Sequence, residues 1–441
     1  MPKKKYGVLP LFFPIFMELL FSMLTGAVDT LMLATEGDQA VGAVGTANTY
    51  IGVFLILFSV LSSGMMAVMT QYIGANRPGV ARQALRLGLL FNMSIGLVIS
   101  AVLFFFASPI LQAVGIADDL LEPAVVYLRT VGLFCLCNAL VPIFSSYLRA
   151  FGHAKSTLSA TIAANLVNVA LNAWFLFGLH WGVLGVALAT GISRLTHLVW
   201  VWAASCRHIS VKTEEKLPSN RMILRKIVQV GLPAAIETSL YNLAISMVIS
   251  MLNRMDTTGM QVTARAYAAQ INNFAYCAAA ALAQANAIIV GWRIGACQIE
   301  ACDRDTRRNA WIGIALGVGT AGVLALLSKP ILRIFTQDPE MIRLVSILLV
   351  VDIFLELGRT TNLVFGFALK TSGDAVFPMT TAIIFMFLCA AGGTWLFGIR
   401  LGWLAVGAYV GMALDELIRA VLMFLRWRSG KWKQKGLLPG S

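Results

Sequence analysis

Residues 9–33 read LPLFFPIFMELLFSMLTGAVDTLML, a stretch of 25 residues with two charges, Glu18 and Asp29. A helix needs about 20 mostly apolar residues to cross the ~30 Å hydrocarbon layer of a bilayer, and a barrel strand only about 10. The stretch therefore reads as a spanning helix. No small-residue cleavage site follows it, so the basic MPKKK start and this run form a retained first helix rather than a removed signal peptide.

Eleven further apolar runs of spanning length follow, near 43–73, 84–107, 124–148, 157–178, 183–205, 227–252, 262–293, 309–328, 343–369, 376–397 and 402–425. The 441 residues are 58% hydrophobic and 12% charged, with a mean hydropathy of +0.79. A soluble domain carries about 25% charged residues. The composition excludes a secreted, cytosolic or disordered protein. The net charge of +13 sits mainly between the runs, where it sets topology and calls for no nucleic acid. Cys135, Cys137, Cys206, Cys277, Cys297, Cys302 and Cys389 show neither a disulfide framework nor metal-ligand spacing and read as small apolar fillers. No phosphate-binding loop, dinucleotide motif or nucleophile elbow is present, which excludes an ATP-driven pump within the chain and calls for no cofactor.

With the N-terminus inside, the inside segments hold 24 Lys and Arg and the outside segments 5. That asymmetry places both termini in the cytoplasm, as a multi-pass protein of the cell's inner (plasma) membrane.

The two halves repeat. Pro14 and Glu18 match Pro233 and Glu237 at an offset of 219, Gly74 matches Gly295, and Gly152 matches Gly373. WFLFG (174–178) matches WLFG (395–398). Six spans per half give both halves one orientation, as in transporters built from parallel repeats. The expected architecture is an all-α polytopic membrane protein, with twelve transmembrane helices in two pseudo-symmetric six-helix lobes. Residues 1–205 form the N-lobe, 206–224 a cytoplasmic linker, 225–426 the C-lobe and 427–441 a cytoplasmic tail.

A charged group in hydrocarbon costs several kcal/mol, which makes the few within spans functional candidates. Glu18, Ser22, Thr25 and Asp29 share one helical face, as do Thr161, Asn165, Asn168 and Asn172 in the fifth span. Two such stripes should face each other or a water-filled cavity. Asp29 is the candidate coupling group, carrying a proton or, with Asn and Thr oxygens, binding Na⁺; no other metal is expected. Met17, Met23, Thr25, Asn165 and Arg194 are candidates to line a substrate cavity. In the second half, Asp352, Glu356 and Arg359 are spaced to pair along one face, and Arg419 can reach Asp415 and Glu416. With Glu237, the first three are secondary C-lobe candidates.

The segments PIFMEL with VDTLML (first span), TQYIGAN (70–76), LRAFG (148–152) and GVALATGISR (185–194) resemble the multidrug and toxic compound extrusion (MATE) family, over roughly residues 9–425. The resemblance implies a V-shaped, two-lobed bundle of twelve helices that exports organic molecules against H⁺ or Na⁺. In the DinF-type branch the N-lobe site maps onto Asp29, Asn168, Asn172 and Thr190, and Asn172 carries an amide where some members carry a carboxylate. Pro14 matches the proline at which the first helix bends in some members. The C-lobe carboxylates of the NorM-type branch fall near Tyr241 and Arg359, neither of them acidic.

The expected function is a cation-coupled antiporter exporting amphipathic organic compounds. A flippase for a lipid-linked saccharide or another amphiphile is the alternative, and a polytopic membrane enzyme ranks behind both. The expected partners are a small organic substrate and membrane lipid, with the chain acting as a monomer. Carried across the repeat at 219–220, the four N-lobe residues fall on Val248, Leu388, Gly392 and Val410, which confines the polar set to the first half.

Overall fold

A computed structural model describes residues 7–113, 115–210, 217–256, 258–333 and 335–438. Lys3, Lys4, Lys5, Lys212 and Lys216 of the charge count, and the last residues of the tail, lie outside the described residues. Helices form the first half in the order α1 (Leu9–Ala34), α2 (Asp38–Gly74), α3 (Pro78–Phe105), α4 (Ala107–Ala113), α5 (Asp118–Leu133), α6 (Cys135–Ala150), α7 (Ala154–Ala173) and α8 (Gly182–His208). The second half follows as α9 (Asn220–Met255), α10 (Met260–Gly295), α11 (Ile299–Leu326), α12 (Ser328–Leu332), α13 (Pro339–Ser372), α14 (Val376–Phe385) and α15 (Leu404–Arg428). No strand occurs among the described residues.

Each of the twelve expected spans lies on a helix. Among the described residues nine helices are long and apolar enough to cross a membrane, and the pair α5 and α6, bent by 46°, makes a tenth. The other two, α13 and α15, fall short on composition because they carry Asp352, Glu356 and Arg359, and Asp415, Glu416 and Arg419. Those six side chains are turned inward, and five of them are buried outright.

The repeat extends to backbone conformation. Left-handed residues recur in pairs: Gly37 with Gly259, Asn76 with Cys297, Gly152 with Gly373, His180 with Gly402 and Gly182 with Leu404. Packing repeats too. Ala43, Ala47, Leu111 and Leu128 of one core have counterparts Ala264, Ala268, Leu332 and Leu349 in the other. These pairs are separated by 221 or 222 residues.

Around the fifth span the structural register corrects the letter match. Phe175 stacks on Trp181 at 5.1 Å and Phe397 on Trp403 at 5.8 Å, and Trp181 and Trp403 each donate their backbone N–H to the carbonyl of that Phe. The offset here is 222, not 220. The wide π-type turns Trp174–Gly178, Met386–Ala391 and Thr394–Arg400 absorb extra residues, so letters alone misplace the frame. Asn168, Asn172 and Thr190 therefore correspond to Ala390, Thr394 and Met412. The position opposite Asn172 is polar after all, although the Thr394 hydroxyl donates to its own helix at the Ala390 carbonyl, 2.6 Å away.

The chain divides into two compact units, Phe13–Gly231 and Leu232–Ser441, the latter including the residues up to Phe12. The boundaries fall one residue before Pro14 and one before Pro233, inside α1 and α9, rather than in the 206–224 connection. The first turns of α9 pack with the N-terminal unit because Gly64 and Gly231 let backbones touch. A Cβ on Gly64 would overlap the Ile227 carbonyl oxygen, and one on Gly231 would overlap that of Val60. Gln83 adds a bond to the Pro218 carbonyl and one to Asn220, each 2.7 Å. Helix α1 includes Pro14 within its continuous run Leu9–Ala34.

Candidate ion and substrate sites

In the N-terminal unit the two polar stripes face each other along α1 and α7. The Thr157 hydroxyl donates to Glu18 at 2.8 Å, Asn165 Nδ2 to the Phe21 carbonyl at 3.2 Å, and Asn172 Nδ2 to Asp29 Oδ1 at 2.8 Å. Glu18 is also held by Arg149 at 2.6 Å, which accounts for its charge structurally. Its counterpart Glu237 is held by Lys370 at 2.9 Å, so this pair is part of the repeated frame.

Asp29 is different. It is half-buried, with an amide bond from Asn172 and no ion pair of hydrogen-bonding length among the described residues. Asn172 is fully buried and its Nδ2 also reaches Asn168 Oδ1 at 3.4 Å, while its own Oδ1 has no partner among the described residues. The α5 and α8 side supplies Tyr127, which donates to Asn48 at 3.2 Å and lies near Thr190, and Arg194, whose charge acts on Asp29 without touching it. Arg194 is exposed and bonded to no side chain among the described residues. The structure thus brings Asp29, Asn168 and Asn172 into one hydrogen-bonded group and sets Thr190 and Arg194 beside it. Thr25 bonds its own helix at the Phe21 carbonyl, and Met17 and Met23 lie half-buried on α1.

The C-terminal unit holds a cavity of about 460 Å³, lined among others by Tyr241, Arg265, Tyr276, Asp352 and Arg359. A buried charge network forms part of its wall. Glu356, fully buried, accepts from Asn272 at 3.2 Å and from Arg359 at 2.5 Å. Arg359 also lies 3.8 Å from Glu416 and 5.8 Å over the Tyr276 ring. Arg419 binds Asp415 at 2.6 Å and Glu416 at 3.0 Å, and Asn362 donates to Glu416 at 2.9 Å. Glu356 and Arg359 neutralise each other as their spacing suggests, whereas Asp352 is 2% exposed and its Oδ1 has no partner.

Sequence reasoning named Arg265 of α10, with Arg194 and Arg359, as able to form a basic cavity, but passed over Asn272 and Tyr276 of the same helix. Arg265, Asn272 and Tyr276 follow each other at spacings of 7 and 4 on an alanine-rich helix, a one-face pattern that was there to be read. Tyr127 and Asn48 carried no such signal, since neither belongs to a polar stripe running along its helix.

The fold and the inward-facing polar groups define a multi-pass helical membrane transporter built from two repeated units. The MatE family model matches residues 14–174 and 233–396. The chain is 32% identical over 440 residues to the uncharacterized transporter YisQ of Bacillus subtilis, covering 98% of this chain and 96% of that one. It is 25% identical to the probable multidrug resistance protein NorM of Thermotoga maritima, covering 99% and 95%. The crystal structure of a mutant of the Vibrio cholerae MATE transporter VcmN superposes with a TM-score of 0.88 at 18% identity, over 97% of this chain and 98% of that one. The chain belongs to the MatE family, whose members are transporters rather than enzymes.

Proposed function

We propose that this protein is a cation-coupled antiporter that exports amphipathic organic compounds from the cytoplasm, with Asp29 as the coupling group. The observation that carries this reading is the Asp29–Asn172–Asn168 group. A carboxylate without an ion pair meets a fully buried amide whose oxygen is unsatisfied. Carboxylate and amide oxygens are donors suited to a hard monovalent cation, and the carboxylate alone suffices to carry a proton. Loading the site changes the charge between α1 and α7. The ion then biases the unit toward the conformation that binds it better. Relatives named as multidrug resistance proteins support export of organic compounds. Family members bind small organic substrates and run on ion gradients, with H⁺ or Na⁺ as the ion proposed here and no cofactor.

The test is transport in proteoliposomes under an imposed pH gradient and then an imposed Na⁺ gradient. Export driven by either supports antiport and identifies the ion; export indifferent to both contradicts it. Orientation is checked with native thiols. Cys206 and Cys297 are exposed, and both fall on segments assigned to the cytoplasm. An impermeant thiol reagent should leave intact cells unlabelled and label inverted vesicles.

A flippase for a lipid-linked saccharide or similar amphiphile is the second reading. It is favoured by Arg265, whose buried Nε has no partner beside the cavity, and by exposed Arg194. Lipid translocation in the same vesicles without an ion gradient would select it.

A further inference from the structure

We propose that the groove between α7 and α8 binds one anionic glycerophospholipid of the surrounding bilayer. The groove has a volume of about 530 Å³, and its walls include Ser156, Ser159, Leu195, Val199, Trp200 and Arg207. It follows α8 from Ile192 to His208, about 24 Å at the helical rise. The chemistry changes along that length. Ile192, Leu195 and Val199 line one end and offer only apolar surface. At the other end stand Ser156, Arg207 and His208, with exposed Lys155 at the first turn of α7. Among the described residues no acidic side chain lines the groove.

The basic end is built and unspent. Trp200 donates its indole N–H to Ser159 at 3.1 Å, which fixes the ring as a wall between the helices. His208 stacks on His153 with ring centroids 5.2 Å apart. Neither Lys155 nor Arg207 has a hydrogen-bond or ion-pair partner among the described residues. Indole at a membrane interface, cations at the helix end and an apolar channel running inward match a phosphodiester headgroup joined to an acyl chain.

The repeat supplies an internal control. At the offset of 222, Ala204 in the groove becomes Arg426, and at the 221 of the neighbouring Gly152–Gly373 pair Lys155 becomes Val376. Arg426 donates to Asp374 at 2.7 Å and lies 4.8 Å over the Phe377 ring. The C-terminal unit therefore closes this corner with a neutralised arginine of its own. The N-terminal unit places an alanine there, and its neighbouring cations Lys155 and Arg207 have no partner among the described residues.

The experiment is native mass spectrometry of the purified full chain in detergent. Dioleoyl phosphatidylglycerol and dioleoyl phosphatidylethanolamine are added at equal mole fraction. The wild type should retain one phosphatidylglycerol at least tenfold over phosphatidylethanolamine. The surface variant Lys155→Gln/Arg207→Gln should bind phosphatidylglycerol about twenty-five-fold more weakly, from roughly fivefold per basic residue at a lipid surface. Ala203→Trp, which fills the groove and keeps the charges, should lose the lipid as well. Inorganic phosphate and glycerol 3-phosphate should not displace it. Equal retention of the two lipids, retention by the double variant within twofold of wild type, or displacement by free phosphate would each overturn the proposal.

Discussion

The two halves use one frame and place their polar groups on different helices. The N-terminal unit concentrates them on α1 and α7, where Asp29 meets Asn172 and Asn168. The C-terminal unit concentrates them on α13 and α15, and the positions matching Asn168 and Asn172 are Ala390 and Thr394. On α13 the contrast runs the other way, since the residues matching Asp352, Glu356 and Arg359 are Val131, Cys135 and Asn138, whereas those matching Asp415, Glu416 and Arg419 stay polar as Ser193, Arg194 and His197. What both units keep is the frame: the carboxylate-to-base pairs Glu18–Arg149 and Glu237–Lys370, the prolines, and the left-handed turns. Polar groups that recur hold the fold. Those that appear once are available for work.

A second difference lies in the helices themselves. The span formed by α5 and α6 breaks at Phe134, while its counterpart α13 runs unbroken from Pro339 to Ser372. Two features of the N-terminal unit stabilise the break. The Ser100 hydroxyl donates to the freed Gly132 carbonyl, and the Phe134 ring occupies the place of a side chain on Gly191. The counterpart of Ser100 is Ala321, which offers no donor.

These differences can be broken in order of size. The largest stability effect belongs to the C-terminal network. Glu356→Gln and Arg359→Gln should each cost about 3–5 kcal/mol, because each leaves a buried charge uncompensated, and the double variant should cost less than the two together. Chemical denaturation in detergent checks this. Glu356→Gln that folds normally and abolishes gradient-driven transport would move the coupling site to the C-terminal unit. Next, Ser100→Ala should lose about 1–2 kcal/mol through the orphaned carbonyl at the helix break, and Ala321→Ser should change stability by less than about 0.5 kcal/mol. Equal effects at the two positions would deny the break its role.

Smaller changes separate the two polar sets further. Asn168→Leu and Thr190→Val should leave a folded protein and weaken coupled export several-fold. Asp374 gives a pH effect in the C-terminal unit alone, since its counterpart is His153. Burial acts to raise its carboxyl pKa, but hydrogen bonds and charge from Arg426 and Lys435 outweigh that and hold it below the ordinary carboxylate range. Its contribution to stability is therefore complete above about pH 4 and fades as the pH falls through the lowered value. Thermal melts between pH 3 and pH 6 should show Asp374→Asn losing most stability at the upper end, with the gap to wild type closing toward acid.

Much of this was legible in the letters. Twelve apolar runs were readable because a bilayer demands length and hydropathy, and α13 and α15 survived their charges because acid and base fell three or four residues apart. Asp29 and the Asn stripe were legible for the same reason, being rare polar groups on a common helical face. The break at Phe134 was not, since it rests on Ser100 and Gly191 from other helices. Nor was the true register of Asn172, because a wide turn adds a residue without altering the apolar pattern. The unit boundaries inside α1 and α9 depend on the close approach of Gly64 and Gly231, a tertiary contact no local pattern encodes.

The central claim is that ion coupling resides in the N-terminal unit at Asp29. Asp29→Asn tests it most directly, because asparagine is nearly isosteric and its neutral side chain is easier to bury than a carboxylate. The purified variant should insert, fold and bind substrate, yet lose gradient-driven export in proteoliposomes under both a pH and a Na⁺ gradient. Wild-type, gradient-dependent transport by that variant would contradict the account.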